Sequence, residues 1–288
     1  MNKFYIQIVF FLLSIFVYAN NEILATESDP ESAPEIAPET SPEENTTPEE
    51  PLDRYLTPIE MYEKNKHLLC TNHDETINAI KLMNEAVTHL KCYATNDGGY
   101  ELCQSDINGR SLPYYKKKHE DNTYVLKVDL GIHDLNKYNK TICDLWNPDN
   151  DKPLITGSAK IVRVYNQNLV MIQHRYKKKS KGRQKYFYAL ATKAEISKDQ
   201  TIIAMTSANI NDHNPFGKEY KNTIVESANL FTTDIDSEED IREGKLKKVF
   251  VNLAGYLIEK RSDHIYIAYV ESIDGHYFIK KKELLENI

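Results

Sequence analysis

The chain has 288 residues, 41% of them hydrophobic and 27% charged, with a formal net charge of −7. That apolar content supports a packed core and excludes a wholly disordered chain. Four cysteines with no closely spaced pair exclude a zinc finger or ribbon, and the modest charge leaves no electrostatic footprint for nucleic acid.

Residues 1–19 read as a secretory signal. Lys3 gives a positive start, residues 4–18 are apolar apart from Gln7 and Ser14, and Val17-Tyr18-Ala19 offers a cleavage point. Some 15 apolar residues fall short of the roughly 20 that a membrane span needs. The mature protein is therefore expected to be soluble and to enter the secretory pathway. Residues 20–52 form an acidic linker in which Pro-Glu recurs at 30–31, 34–35, 38–39, 42–43 and 48–49. Ile36 is the one large apolar side chain of residues 27–51, so this stretch buries too little surface to fold and is expected to stay disordered. The whole chain carries −7 and these residues −9, while residues 1–26 cancel, so the body from 52 to 288 is mildly basic at +2.

Residues 53–288 are long enough for one domain with a substantial core. Thr57-Pro58-Ile59-Glu60 forms a capping box with proline at the first helical position, which predicts a helix over 57–69. Asp74 and Glu75 open a second helix, with Ile77, Ile80, Met83, Val87 and Leu90 on one face. From Tyr100 the period changes, predicting strands over 100–104, 113–118 and 123–130. A helix over 135–146 follows, stopped by Asn147-Pro148. Strands are then predicted over 160–165, 169–176, 186–197, 201–211, 223–231, 249–259 and 264–270, with a final helix over 278–288. Parallel βαβ alternation is absent. The order defines an α+β protein: a curved antiparallel sheet with N- and C-terminal helices, the helix-grip arrangement, around an enclosed cavity.

Catalytic chemistry finds no motif. His174 and His213 have no nucleophile placed beside them, and Glu226 falls on a predicted strand. Asp234, Asp236, Glu238 and Asp240 suggest a calcium loop, but Glu239 stands where that loop needs glycine and Lys245 where it needs glutamate, so a solvated acidic loop is expected. Cys70, Cys92, Cys103 and Cys143 allow three disulfide pairings or free thiols. The chain reads as a non-enzymatic container without a cofactor or metal.

Five segments in chain order resemble START lipid-transfer domains: Leu145-Trp146-Asn147-Pro148-Asp149, Tyr186-Phe187-Tyr188, Met205-Thr206-Ser207 with Pro215, Ile224-Val225-Glu226 to Phe231, and Tyr269-Val270 to Asp274-Gly275. A longer resemblance, over most of the body, is to the fam-a proteins of rodent malaria parasites. It is carried by ETINAIKLMNEAVTHL (75–90), KIVRVYNQNLVMIQHRYK (160–177), TIIAMTSANINDHNP (201–215) and residues 218–248. These resemblances imply a START-like lipid carrier, exported to the parasitophorous vacuole or host cell, with phosphatidylcholine as its ligand and transient contact with a membrane. The chain departs from START domains in two ways. Their buried arginine–acid pair falls near Arg183 or Lys185 and Lys160, and the C-terminal helix is short. An export signal is nearly matched at Arg54-Tyr55-Leu56-Thr57, where Pro58 occupies the acidic position. An exported interaction protein with a vestigial pocket is the alternative.

Strand alternation puts Val162, Val164, Met171, Phe187, Met205, Phe231 and Tyr266 in the cavity. Asn209, Pro215 and Phe216 resemble the START gate loop. Lys177, Lys178, Lys179 and Lys181, crowded with Arg183 in one turn, suit an anionic membrane surface at about 1 kcal/mol per charge.

Overall fold

The computed structural model describes residues 55–274, apart from 108–109, 121–122, 151, 153–155, 179, 181 and 218. The predicted helix over 278–288 lies outside the described residues, as do Lys179 and Lys181.

Helix α1 (Pro58–Asn65) carries the predicted capping box: the Glu60 amide donates to the Thr57 hydroxyl at 3.2 Å, and the Thr57 amide donates to the Glu60 carboxylate at 2.9 Å. Asn72 caps α2 (His73–Thr95), which buries Ala79, Leu82, Met83, Ala86, Val87 and Leu90. Three strands follow, β1 (Glu101–Ile107), β2 (Arg110–Lys118) and β3 (Tyr124–Ile132). A 3₁₀ turn then leads into α3 (Tyr138–Trp146), which ends before Pro148. The chain continues through β4 (Gly157–Asn166), β5 (Leu169–Tyr176), β6 (Lys185–Ser197) and β7 (Gln200–Thr206). A long excursion holds the short β8 (Asn209–Asn211), β9 (Thr232–Asp234), the one-turn α4 (Glu239–Arg242) and β10 (Lys247–Lys248). Strands β11 (Phe250–Lys260) and β12 (Ile265–Asp274) close the sheet.

The sheet runs β1-β2-β3-β12-β11-β7-β6-β5-β4 with every neighbour antiparallel, and β10 adds a parallel pair to β6. This is the α+β helix-grip class: a curved antiparallel sheet with helices. Helix α2 lies across one face, its Leu82, Met83, Val87 and Leu90 packed with Met171, Leu190, Ile202 and Leu257. Helix α3 lies on the other, its Tyr138, Ile142 and Trp146 packed with Ile172, Phe187, Ile203 and Met205. Each buried Leu, Ile or Met contributes roughly 1.5–3 kcal/mol. Because both faces are covered, β5 is buried almost continuously instead of alternating.

Two expectations fail. The run Thr223 to Phe231 is not a strand; it holds a 3₁₀ turn over Glu226–Asn229, with Glu226 exposed. The Asn222 side-chain oxygen accepts from the Ile224 and Val225 amides at 3.0 and 2.9 Å, taking donors that a ladder would need. Glu85 of α2 then accepts from the Glu226 and Ser227 amides. The run 201–211 also breaks, at Ser207-Ala208. All four cysteines carry free thiols.

Candidate functional site

An apolar cavity of about 50 Å³ lies between α3 and the sheet, walled by Trp146, Ile172, Phe187, Met205 and Tyr256, with Lys152 among its lining residues. Helix α3 stops there because Pro148 cannot continue it and the residue before proline is driven out of the helical region. The freed carbonyls of Asp144 and Asn147 accept hydrogen bonds from the Lys152 ammonium at 2.7 and 2.5 Å. Burial lowers the Lys152 pKa to about 8, against the pull of Asp144 and Asp149. One of its three N–H groups has no recorded acceptor among the described residues.

On the strand side His174 stacks on Phe187 at 5.0 Å and meets the Tyr176 ring edge-on at 4.8 Å. The histidine Nε2 lies 3.2 Å from the Thr156 carbonyl. Gly157 makes this approach possible: a Cβ there would sit 2.8 Å from His174 Nε2 and 2.1 Å from the Arg175 carbonyl oxygen.

The sheet register extends this face towards β12. Met205 pairs with Ala254, which pairs with Glu271, and one step along Tyr256 pairs with Tyr269. Glu271 is buried, and the Tyr269 hydroxyl donates to it at 2.5 Å. Burial pushes the Glu271 carboxyl above its usual range, opposed by the tyrosine bond. The Tyr256 and Tyr269 rings lie 5.0 Å apart, and burial holds both phenols well above their ordinary values. On this face Tyr256 OH and Trp146 Nε1 are buried without a hydrogen-bond partner among the described residues. Such atoms are rare in folded proteins and call for an acceptor.

The seven residues assigned to one cavity face divide between two. Phe187 and Met205 line the apolar cavity, and Val164 belongs to the same cluster. Met171 and Phe231 are buried on the α2 face, with Val162 and Tyr266 packed against them. Val162 and Val164 part company at a β-bulge between Ile161 and Arg163, where one extra residue reverses the alternation. Arg163 thereby reaches Glu75 of α2 at 2.7 Å.

The loop holding Asn209, Pro215 and Phe216 does not border the apolar cavity. Asp212 accepts from the hydroxyl of Tyr186, a residue of the α2-side core, and Asn209 lines a separate polar cavity. Phe216 is exposed and rests on Gly244. The Arg183 guanidinium lies 5.3 Å from the Phe216 ring centroid, so the lysine-rich turn and this loop meet. Lys177 and Lys178 are exposed. The acidic loop is not simply solvated. Asp240 takes a bidentate pair from Arg175 at 2.6 and 2.9 Å, and Glu238 pairs with Lys160 and Arg175, pinning α4 to β4 and β5. Among the described residues no His, Cys, Asp and Glu group is arranged to hold a metal.

Sequence reasoning missed Lys152, Tyr256 and Glu271. Glu271 was accessible: carrying the alternation of Ile267 and Tyr269 one step further puts it on their face.

No protein-family model matches this chain, and no curated protein does. Among solved structures, human StAR-related lipid transfer protein 5 superposes with a TM-score of 0.48 at 11% identity, over 72% of this chain and 86% of that one. Human STARD10 gives a TM-score of 0.39 at 13% identity, over 68% and 69%. The lipid transfer and protein localisation domain of human StarD13 gives 0.38 at 14% identity, over 65% and 81%.

Proposed function

We propose that the protein is a non-enzymatic lipid carrier whose apolar cavity takes a phospholipid, phosphatidylcholine first among candidates. The observation that carries this reading is the pair of buried, unpartnered donors, Tyr256 OH and Trp146 Nε1, on residues that line a mostly apolar cavity. An unsatisfied buried donor costs about 1–3 kcal/mol. A ligand that offsets this cost must bring acceptor oxygens together with hydrocarbon. A glycerophospholipid has both: ester and phosphate oxygens for Tyr256, Trp146 and the spare Lys152 N–H, and acyl chains for Ile172, Phe187 and Met205. The rings of Tyr256 and Tyr269, 5.0 Å apart, suit a choline group, since aromatic faces attract quaternary ammonium.

A cavity of 50 Å³ is far below the roughly 300–1,000 Å³ of ligand sites, so loading requires α3 to move off the sheet. Leaving a bilayer through water would expose about 30 methylenes at about 0.8 kcal/mol each, so the carrier must load while docked. Lys177, Lys178, Lys179, Lys181 and Arg183, with Phe216 beside the arginine, form the docking element of this reading. Entry into the secretory pathway, and export from it, belong to the same proposal.

Trp146 is the chain's one tryptophan and lines the cavity, so it reports loading directly. Titrating the purified protein with short-chain phosphatidylcholine is expected to shift Trp146 emission saturably, and labelled phosphatidylcholine is expected to move between vesicles. No emission change and no co-purified lipid would overturn the carrier reading. The small cavity volume would then favour an interaction protein whose pocket is vestigial.

A further inference from the structure

The excursion between β7 and β11 borders a second, open cavity of about 590 Å³, within the range of ligand sites and more than ten times the volume of the first. It shares no lining residue with the apolar one. Its wall is polar and charged: Asn209, Asp212, Glu219, Tyr220, Lys221 and Lys248 all line it. Asp212 and Lys248 form a nearly buried ion pair at 2.9 Å, and Lys248 also donates to the Ile210 carbonyl at 2.7 Å. These two charges hold each other and fix the floor. Glu219 and Lys221 are different. Both are exposed, they flank Tyr220, and neither has an ion-pair partner among the described residues. Tyr220 is held rigid by stacking on Phe250 at 4.1 Å with the planes 5° apart, and its hydroxyl donates to Asn252 at 2.9 Å.

Next in sequence to two residues that line this cavity stand the two most exposed large apolar side chains among the described residues. Gly217 and Asn229 line the cavity, and their chain neighbours Phe216 and Leu230 are 64% and 86% exposed. Single exposed apolar residues need no explanation, but two beside one polar cavity describe an interfacial site, with apolar side chains for the bilayer and polar groups for what lies at its surface.

We infer that this polar cavity is a second ligand site, which takes the zwitterionic headgroup of a bilayer phospholipid while Phe216 and Leu230 enter the membrane beside it. Lys221 meets the phosphate ester. Glu219 and the Tyr220 ring meet the ammonium group. Among the described lining residues two acidic groups stand with two basic ones, so the site offers a partner to each charge of a charge-separated headgroup. The inference rests on the docking part of the carrier reading, and it separates recognition of the membrane from carriage of the lipid: one face of the sheet loads, the other docks.

The test is vesicle flotation of the full chain at physiological salt, with vesicles of phosphatidylcholine alone, beside the Trp146 emission titration with short-chain lipid. Glu219→Gln and Lys221→Gln, both at exposed positions, are each expected to weaken flotation about tenfold while leaving the emission titration unchanged. Phe216→Ala with Leu230→Ala is expected to weaken it as well. Flotation of both charge variants at the parent level overturns the headgroup site and leaves the carrier reading standing. No flotation of the parent on phosphatidylcholine, with binding only to anionic or glycolipid vesicles, also overturns it. An emission titration that fails in the parent while flotation succeeds overturns the carrier reading and leaves the docking site.

Discussion

The Tyr269 hydroxyl donates to the Glu271 carboxylate at 2.5 Å, both side chains buried on the sheet face that also presents Tyr256. No lysine or arginine pairs with Glu271 among the described residues. Burial raises its folded-state pKa above the model-peptide value of 4.5, so folding favours the protonated acid. Stability from this group is complete below pH 4.5 and declines as pH rises through the raised folded value. Glu271→Gln, which keeps the shape and removes the charge, is expected to raise the melting temperature at pH 8 by a few degrees and to leave it unchanged at pH 4. Equal shifts at the two pH values would show that the carboxyl is not desolvated.

Tyr256→Phe separates stability from binding. It deletes a buried hydroxyl without a partner and retains the ring that packs on Tyr269. Stability should be unchanged or higher by about 1 kcal/mol. Affinity for short-chain phosphatidylcholine, read from Trp146 emission, should fall about tenfold, or about 1.4 kcal/mol. Destabilisation with unchanged affinity would mean that the hydroxyl is satisfied in the free protein.

Acid should loosen the attachment of α4 to the sheet. Burial alone would raise the Glu238 pKa, but Lys160 and Gln173 hold it down at about 2. A lowered acid contributes stability above its unfolded value of 4.5, and that contribution is lost as pH falls towards 2. The side chain is 37% exposed, so screening limits the contribution to about 1 kcal/mol. Urea denaturation of Glu238→Gln should show that deficit at pH 7 and convergence with the parent near pH 2.

Gly244 sits at φ +69°, and a Cβ there would lie 2.4 Å from two Phe216 ring atoms. Gly244→Ala therefore meets both a left-handed backbone and an occupied space. A loss of about 1–3 kcal/mol is expected, with Phe216 displaced from Arg183. Chemical denaturation gives the first, and weaker flotation on phosphatidylcholine vesicles the second.

Much of the architecture was legible because it rests on short-range rules. Four residues, Thr57 to Glu60, specify the start of α1, and Asn147-Pro148 specifies the end of α3. The period of residues 77–90 specifies the buried face of α2, although Ile77 and Ile80 are only half-buried. What could not be read depends on single side chains acting at long range. Asn222 and Glu85 convert an apolar, β-branched run into a 3₁₀ turn by supplying acceptors from elsewhere. One bulged residue in β4 sends Val162 and Val164 to opposite faces, and two covered faces erase the alternation that would have shown it. The apolar cavity was therefore half legible: Phe187 and Met205 were found, whereas Tyr256 and Lys152 were not.

Strand order has a consequence for how the chain becomes a protein. Residues 126–132 of β3 pair with residues 265–271 of β12, so β1, β2 and β3 join the sheet only through β12. Until β12 is available, β1, β2 and β3 are a three-stranded ribbon with no central strand to pair with, while β4 to β7 can assemble locally as a meander. Such distant pairing makes closure slow, because loop entropy is lost before the contacts form. Folding of this domain is thus completed only after β12 has been made, and truncation within β12 would detach three strands at once.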